Sequence, residues 1–291
     1  MATAHDWLEG ARPRTLPAAI APVAVGAGLG VWAAAFDLPR VLLALLVAVA
    51  LQVGVNFAND YSDGIKGTDA TRVGPVRLVG QGLARPSQVK AAALGCFAIG
   101  AVAGLALVAI TGQWWLLIVG AASIAAAWLY TGGPHPYGYA GLGEVFVFVF
   151  FGLVPVVGTA YVQTLTITAP DIIASVGVGL LACAILVTNN LRDIAGDTIA
   201  GKITLAVRLG DVRTRRLYAT IVALAVLMPI GVGLLTSPWV MLACLTGLIA
   251  VRPVRIVLGG AMGPALIPAL KLTGVLLLCY GLALGLTLAL A

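Results

Sequence analysis

The sequence predicts an all-α integral membrane protein, a bundle of nine transmembrane helices forming a single domain over residues 1–291. Three observations predict it. Hydrophobic residues make up 61% of the chain and charged residues 10%, whereas an ordinary soluble domain carries about 25% charged residues. With a mean hydropathy of +1.06, the apolar surface exceeds what one water-exposed core can hold, so the bilayer must act as solvent. The apolar runs are long and do not alternate, which selects helices over a barrel. Finally, the basic residues sort onto one side once the runs are taken as spans.

The first span runs from about Thr15 to Ala35, after Arg12 and Arg14, and the second from about Val41 to Ala58. The third covers about Val89 to Ile110, and the fourth Trp114 to Leu129. The fifth lies near Leu142 to Val162, the sixth near Ile172 to Thr188, and the seventh near Leu217 to Leu235. The eighth, Pro238 to Val251, is short, and the ninth covers about Ala265 to Leu290. Each apart from the shortest approaches the roughly 20 residues that cross a bilayer.

With this assignment every Lys and Arg except Arg40 falls on alternate connections or in the adjoining turns of the spans. The positive-inside rule makes that side cytoplasmic, with the N-terminus inside and the C-terminus outside. The net charge of +6 is then that of cytoplasmic loops and does not indicate a nucleic-acid partner. Asp6 and Glu9 precede the first apolar run, which does not suit a cleavable signal peptide. Cys96, Cys183, Cys244 and Cys279 sit within apolar runs without metal-ligand spacing and read as small core residues.

The carboxylates are concentrated. Asp60, Asp63 and Asp69 follow the second span, and Asp193 and Asp197 follow the sixth. In a helix Asn56, Asp60 and Asp63 share a face, as do Asn189, Asp193 and Asp197. Each cluster repeats the pattern Asn-x-x-x-Asp with a further Asp three or four residues on. The chain therefore reads as two pseudo-repeat halves with acidic motifs near residues 56–69 and 189–202. Ionisable groups at helix mouths in a membrane are costly and usually functional. Paired carboxylates suit Mg²⁺, which takes one or two of them together with substrate phosphate oxygens. Lys66, Arg72, Arg77, Arg192, Lys202 and Arg208 stand beside them as diphosphate partners. Solvated or loop-paired aspartates are the bland alternative, and two matching motifs on one face argue against it.

At these residues the chain resembles the UbiA superfamily of intramembrane prenyltransferases. The resemblance rests on Asn59-Asp60-Tyr61-Ser62-Asp63 and on Asp193-Ile194-Ala195-Gly196-Asp197. The segments Ala11 to Pro17 (ARPRTLP), Thr131 to Tyr139 (TGGPHPYGY) leading into Gly141 to Glu144, and Gly201 to Gly210 (GKITLAVRLG) resemble the branch that prenylates 1,4-dihydroxy-2-naphthoate. Where many members have a further Asp four residues after Asp63, this chain has Gly67, with Asp69 two residues later.

The resemblance implies a bundle around a central cavity, capped by cytoplasmic loops, in a multi-pass protein of a bacterial cell membrane. It implies Mg²⁺-dependent transfer of a polyprenyl group from polyprenyl diphosphate to 1,4-dihydroxy-2-naphthoate, with decarboxylation to demethylmenaquinol. Metal ligands would be Asp60, Asp63, Asp193, Asp197 and, as a further candidate, Asp69. The diphosphate would meet Asn56, Asn59, Lys66, Arg72, Arg77, Asn189, Arg192 and Lys202, with Lys202 among the catalytic groups. Phe57, Tyr61, Tyr130, Tyr137, Tyr139 and Glu144 would form the acceptor and carbocation pocket, and membrane lipid would surround an isoprenoid groove that Val145 to Phe151 could line. Another aromatic acceptor such as 4-hydroxybenzoate is the first alternative. A cation-coupled transporter is a second, disfavoured because the acidic motifs map to one face and not to mid-membrane.

Overall fold

The computed structural model describes residues 2–67 and 76–291. Among them the chain is helical. A short helix, α1 (Ala4–Ala11), turns at Arg12 into α2 (Pro17–Trp32). Then follow α3 (Leu38–Lys66), α4 (Pro86–Thr111), α5 (Leu116–Leu129), α6 (Gly143–Val147), α7 (Val154–Thr164), α8 (Ala169–Ile199), α9 (Leu205–Leu235), α10 (Gly247–Leu258) and α11 (Ile267–Ala289). A π-helical stretch, Phe148–Leu153, joins α6 to α7, and a 3-10 segment, Pro238–Thr246, leads into α10.

Local chemistry sets the ends. Asp37 caps α3 by accepting from the Arg40 amide, and Gly67 closes it in the left-handed region at φ 71°. Thr168 and Asp171 form a capping box on α8. Thr204 caps α9. Gly67 thus ends α3 just beyond the first acidic motif.

Among the described residues seven helices are long and apolar enough to cross a membrane, and α1 with α2, bent by 48°, supplies an eighth. The nine expected spans differ from this count at the fourth. Its helix, α5, has 14 residues, about 21 Å of rise against a hydrocarbon core near 30 Å. The first expected span corresponds to α2, and the left-handed Arg12 separates it from the short α1 that precedes it.

The larger core lies where α8 and α9 pack on α2, α10 and α11, around Leu181, Tyr218, Leu277 and Tyr280. A second cluster joins α1, α3, α4 and the segment before α4 through Phe57, Leu78, Val89 and Phe97. Water drives no helix together inside lipid, so close backbone approach has to do so. At Gly28 of α2 a Cβ would strike the backbone of Gly285 in α11. At Gly152 it would strike the backbone of Gly179 in α8, which seats the π-helical stretch directly on that helix.

Candidate active site

Two faces of α3 do different work. Asn59, Asp63 and Lys66 recur at three- and four-residue spacing on one face. Asp63 is 2% exposed, and its Oδ1 accepts a hydrogen bond from the Tyr139 hydroxyl at 2.6 Å. The same oxygen lies 3.5 Å from the Lys202 ammonium. Both Lys66 and Lys202 stand over the Tyr139 ring, 5.0 and 4.5 Å from its centroid. Lys66 also donates to the Thr131 carbonyl at 2.7 Å, and the Thr131 hydroxyl donates to Asn59 at 2.8 Å. Three separate stretches of chain thus converge: the end of α3, the loop before α6, and the loop after α8.

That junction is tied through the backbone as well. The Ile203 amide donates to the Tyr139 carbonyl at 2.9 Å, and the Lys202 amide to the Asp197 carbonyl at 2.8 Å. Arg208, read from sequence as a diphosphate partner, donates to the Ala140 carbonyl at 2.8 Å. The cross-link carries Lys202, five residues beyond the second acidic motif in sequence, onto the first.

The other face of α3 looks away from this junction. Gln52 and Asn56 each donate to the Thr15 hydroxyl at 2.9 Å, and Asn56 also donates to the Ala11 carbonyl at 2.9 Å. One turn on, Asp60 is fully buried. Its two oxygens accept from the backbone amides of Leu78 and Val79 at 2.7 and 3.1 Å. The guanidinium groups of Arg77 and Arg12 act on it electrostatically. Asp60 and Asp63, grouped together in the sequence, therefore serve different neighbours.

In α8 the Arg192 side chain forks onto Asp193, both nitrogens 2.7 Å from carboxylate oxygens, and reaches Asn189 at 2.9 Å. Such a planar two-pronged contact fixes the orientation of the carboxylate. Asp197 follows one turn later, buried. Asp69 and Arg72 lie outside the described residues.

Beside the junction opens an apolar cavity of about 520 Å³. It runs along α3, α4, α5 and α7, with Asn56 and Asn59 on its polar margin. Tyr137 stacks on Phe146 at 3.9 Å between ring centres, Tyr130 meets Tyr137 edge-on at 5.5 Å, and Phe146 continues to Phe150 at 6.1 Å. All four line the cavity. Burial pushes the Tyr137 phenol upward in pKa, so it stays protonated near neutrality and keeps its bond to the Ala126 carbonyl at 2.7 Å.

Phe57 and Tyr61, expected in this pocket, are elsewhere. Each is two residues from Asn59, about 200° around the helix. Phe57 packs edge-on against Trp7 at 5.7 Å, and Tyr61 lies against Trp128 and under Lys90. Of the run Val145 to Phe151, only Phe146, Val147, Phe150 and Phe151 line the cavity, and Phe148 packs toward Gly179. Glu144 accepts from Asn190 at 3.0 Å, and its second oxygen is buried without a hydrogen-bond partner among the described residues.

Residues 19–261 match the UbiA prenyltransferase family. The chain belongs to that family. The 1,4-dihydroxy-2-naphthoate octaprenyltransferase of Mycobacterium tuberculosis is 52% identical over 289 residues, covering 99% of this chain and 98% of the relative. The protein of the same name from Escherichia coli is 41% identical, covering 92% and 89%. In fold the chain is similar to a UbiA homolog from Archaeoglobus fulgidus bound to GPP and Mg²⁺, with a TM-score of 0.68 at 16% identity, over 96% of this chain and 99% of that one. A UbiA homolog from Aeropyrum pernix gives a TM-score of 0.71 at 17% identity, over 92% and 96%.

For a UbiA prenyltransferase the donor set suits a hard divalent cation, since Asp63, Asp193 and Asp197 offer carboxylate oxygens. Among the described residues no three acidic, His or Cys side chains gather into a ready-made cage. A cation held by these side chains would need oxygens beyond theirs to complete its shell. Several participants of this UbiA site have no role that the sequence assigns: Thr131 within its TGGPHPYGY segment, Asn190, and the amides of Leu78 and Val79. Gln52 could have been found, because it lies four residues before Asn56 and eight before Asp60.

Proposed function

We propose that this chain is a Mg²⁺-dependent 1,4-dihydroxy-2-naphthoate polyprenyltransferase, acting on polyprenyl diphosphate and releasing demethylmenaquinol, diphosphate and CO₂. The observation that carries the proposal is the 52% identity, across nearly the whole chain, to a relative of that activity by name. The placement of a charged junction beside an apolar cavity supports it. The chain is taken as one domain of two pseudo-repeat halves.

Asp63, Asp193 and Asp197, with Asp69 as a further candidate, are the proposed holders of Mg²⁺. The ion would supply Lewis-acid neutralisation of the leaving diphosphate. Lys66, Lys202 and Arg192 add fixed positive charge where the leaving group develops its own. Tyr139 fixes Asp63 against Lys202, so that the carboxylate does not have to reorganise during the reaction.

The bond between the allylic carbon and the diphosphate oxygen breaks, and the electron pair leaves with the diphosphate. The faces of Tyr137, Tyr130 and Phe146 are available to the allylic cation. The naphthalenediol ring bonds to the allylic carbon, and loss of the carboxylate as CO₂ returns the electron pair to the ring. Glu144, through its unpartnered oxygen, is the proposed acceptor of a hydroxyl proton, which it returns to the ring oxygen once CO₂ has left. The apolar cavity excludes water and takes the first isoprene units.

The loops around Tyr139 and Lys202, with the segment before α4, form the proposed cytoplasmic cap. Nine crossings, with α5 as a short one, leave the N-terminus inside and the C-terminus outside a bacterial cell membrane, in contact with lipid. The test is prenyl transfer by purified protein given a polyprenyl diphosphate and 1,4-dihydroxy-2-naphthoate, with and without Mg²⁺, products read by mass. Metal-dependent product lacking the carboxylate is the expected result. Product with 4-hydroxybenzoate alone would overturn the acceptor assignment.

A further inference from the structure

We infer that the joined basic ends of α9 and α10 form a docking site for the phosphodiester headgroup of an anionic phospholipid, with Arg213, Arg216, Arg252 and Arg255 as its cations. The inference goes beyond the proposed function and does not depend on it.

Charge in the last third of the chain is one-sided. Residues 198–291 contain one carboxylate, Asp211, against eight Lys and Arg. Asp211 is already engaged, because its two oxygens accept from Arg215 at 2.6 and 2.7 Å. Arg215 is itself buried and donates onward to the carbonyls of Val257 and Ala261. That fork fastens the basic end of α9 to the end of α10. Arg213 and Arg216, on either side of it in sequence, are exposed, as are Arg252 and Arg255 of α10. Among the described residues none of these four pairs with a carboxylate.

Helix rise sets the four at one depth. Residues 217–235 of α9 carry no charge and rise about 28 Å. Residues 238–251 are also uncharged. Nine of them form the 3-10 segment Pro238–Thr246, and with the first turn of α10 they rise about 25 Å. The two apolar runs meet at residues 236–237, so Arg216 and Arg252 stand together at the opposite edge. The layer between is close to a hydrocarbon core of about 30 Å, and lipid headgroups begin at its edge.

The exposed side of α10 carries both chemistries of that edge. Ala250, Pro253 and Val257 are its buried side. Leu248, Val251, Arg255 and Leu258 recur at three- and four-residue spacing on the exposed side, and Arg252 lies among them. Guanidinium groups fork onto phosphate oxygens, and basic clusters between transmembrane helices hold anionic headgroups in this way. The apolar neighbours favour a phosphate that carries acyl chains over a free phosphate ion. The missing carboxylates favour a net anionic headgroup over one with a cation of its own.

The test uses the purified full chain, stripped of lipid in a neutral detergent. Binding is read by native mass spectrometry and by the shift in melting temperature that a ligand of the folded state produces. The probes are phosphatidylglycerol, phosphatidylcholine with the same acyl chains, and inorganic phosphate. Phosphatidylglycerol should bind at least ~10-fold more tightly than phosphatidylcholine, and inorganic phosphate should give no shift. The fourfold variant Arg213→Gln/Arg216→Gln/Arg252→Gln/Arg255→Gln should lose most of that preference while keeping its melting temperature in detergent alone, since the side chains are exposed. Arg85→Gln/Lys90→Gln removes two exposed cations at the start of α4 and should keep the wild-type preference. An unchanged preference in the fourfold variant would overturn the inference. An equal loss in the α4 variant would do the same, by showing diffuse charge and not a site. A shift with inorganic phosphate matching that with phosphatidylglycerol would make the occupant a free anion and overturn the lipid assignment. If the fourfold variant does not fold, Arg252→Gln/Arg255→Gln carries the test: a reduced preference supports the site, and an unchanged one removes it.

Discussion

The Tyr139 hydroxyl donates to Asp63 Oδ1 at 2.6 Å, and this bond joins the loop before α6 to the first acidic motif. Two lysines stand over the ring that makes it. Removal of the hydroxyl leaves the ring and its cation contacts in place, so Tyr139→Phe isolates the bond. The expected outcome is a fall in kcat of about tenfold, the equivalent of one charge-assisted hydrogen bond, with an unchanged melting temperature in detergent. An unchanged kcat would show that Asp63 is held well enough without this bond.

Asp63→Asn and Asp193→Asn remove a charge from each half of the site. Turnover should fall by at least ~100-fold in each, as is typical when a preorganised electrostatic group is lost. Circular dichroism should report retained helix content. Near-normal turnover in either variant would remove that aspartate from the proposed Mg²⁺ set.

Glu144→Gln keeps an oxygen for Asn190 and removes proton-accepting capacity. A general base contributes about 10²–10⁴-fold, so kcat should drop by at least ~100-fold while KM for the polyprenyl diphosphate holds. An equal loss from a raised KM would assign Glu144 to substrate binding.

Gly28→Leu places a side chain where the backbone of Gly285 already lies. Overpacking of this kind typically costs about 1–3 kcal/mol, so the melting temperature in detergent should fall. The Mg²⁺ dependence of any remaining activity should not change, because Gly28 lies more than two helical turns along α2 from Thr15, where the chain contacts the motif-bearing α3.

The helical architecture was legible because apolar run length is the same quantity that a bilayer measures. Spans were read close to α3, α4, α8 and α11. The break at Arg12, the 14-residue α5 and the π-helical Phe148–Leu153 were not legible. Backbone conformation there depends on neighbours such as Gly179 that periodicity does not record. At the site, residue types and motif positions were readable, and the sharing of work between faces was not. Asp60 and Asp63 are three residues apart and share a face in projection, yet their partners come from residues 77–79 and 139–202. Those partners are fixed by tertiary structure. Phe57 and Tyr61 were assigned by proximity in sequence to Asn59, and helical phase sends them the other way.

One stave of the cavity is shorter than its neighbours. Beside α5, whose 14 residues rise about 21 Å, the exposed indoles of Trp114 and Trp115 sit at the end where headgroups anchor such rings. As the short crossing proposed above, α5 would require the lipid beside it to thin or tilt, at a modest cost for each ångström of mismatch. The chain's conformational energy would thereby be coupled to acyl-chain length, with thin bilayers the ones in which it sits without distortion.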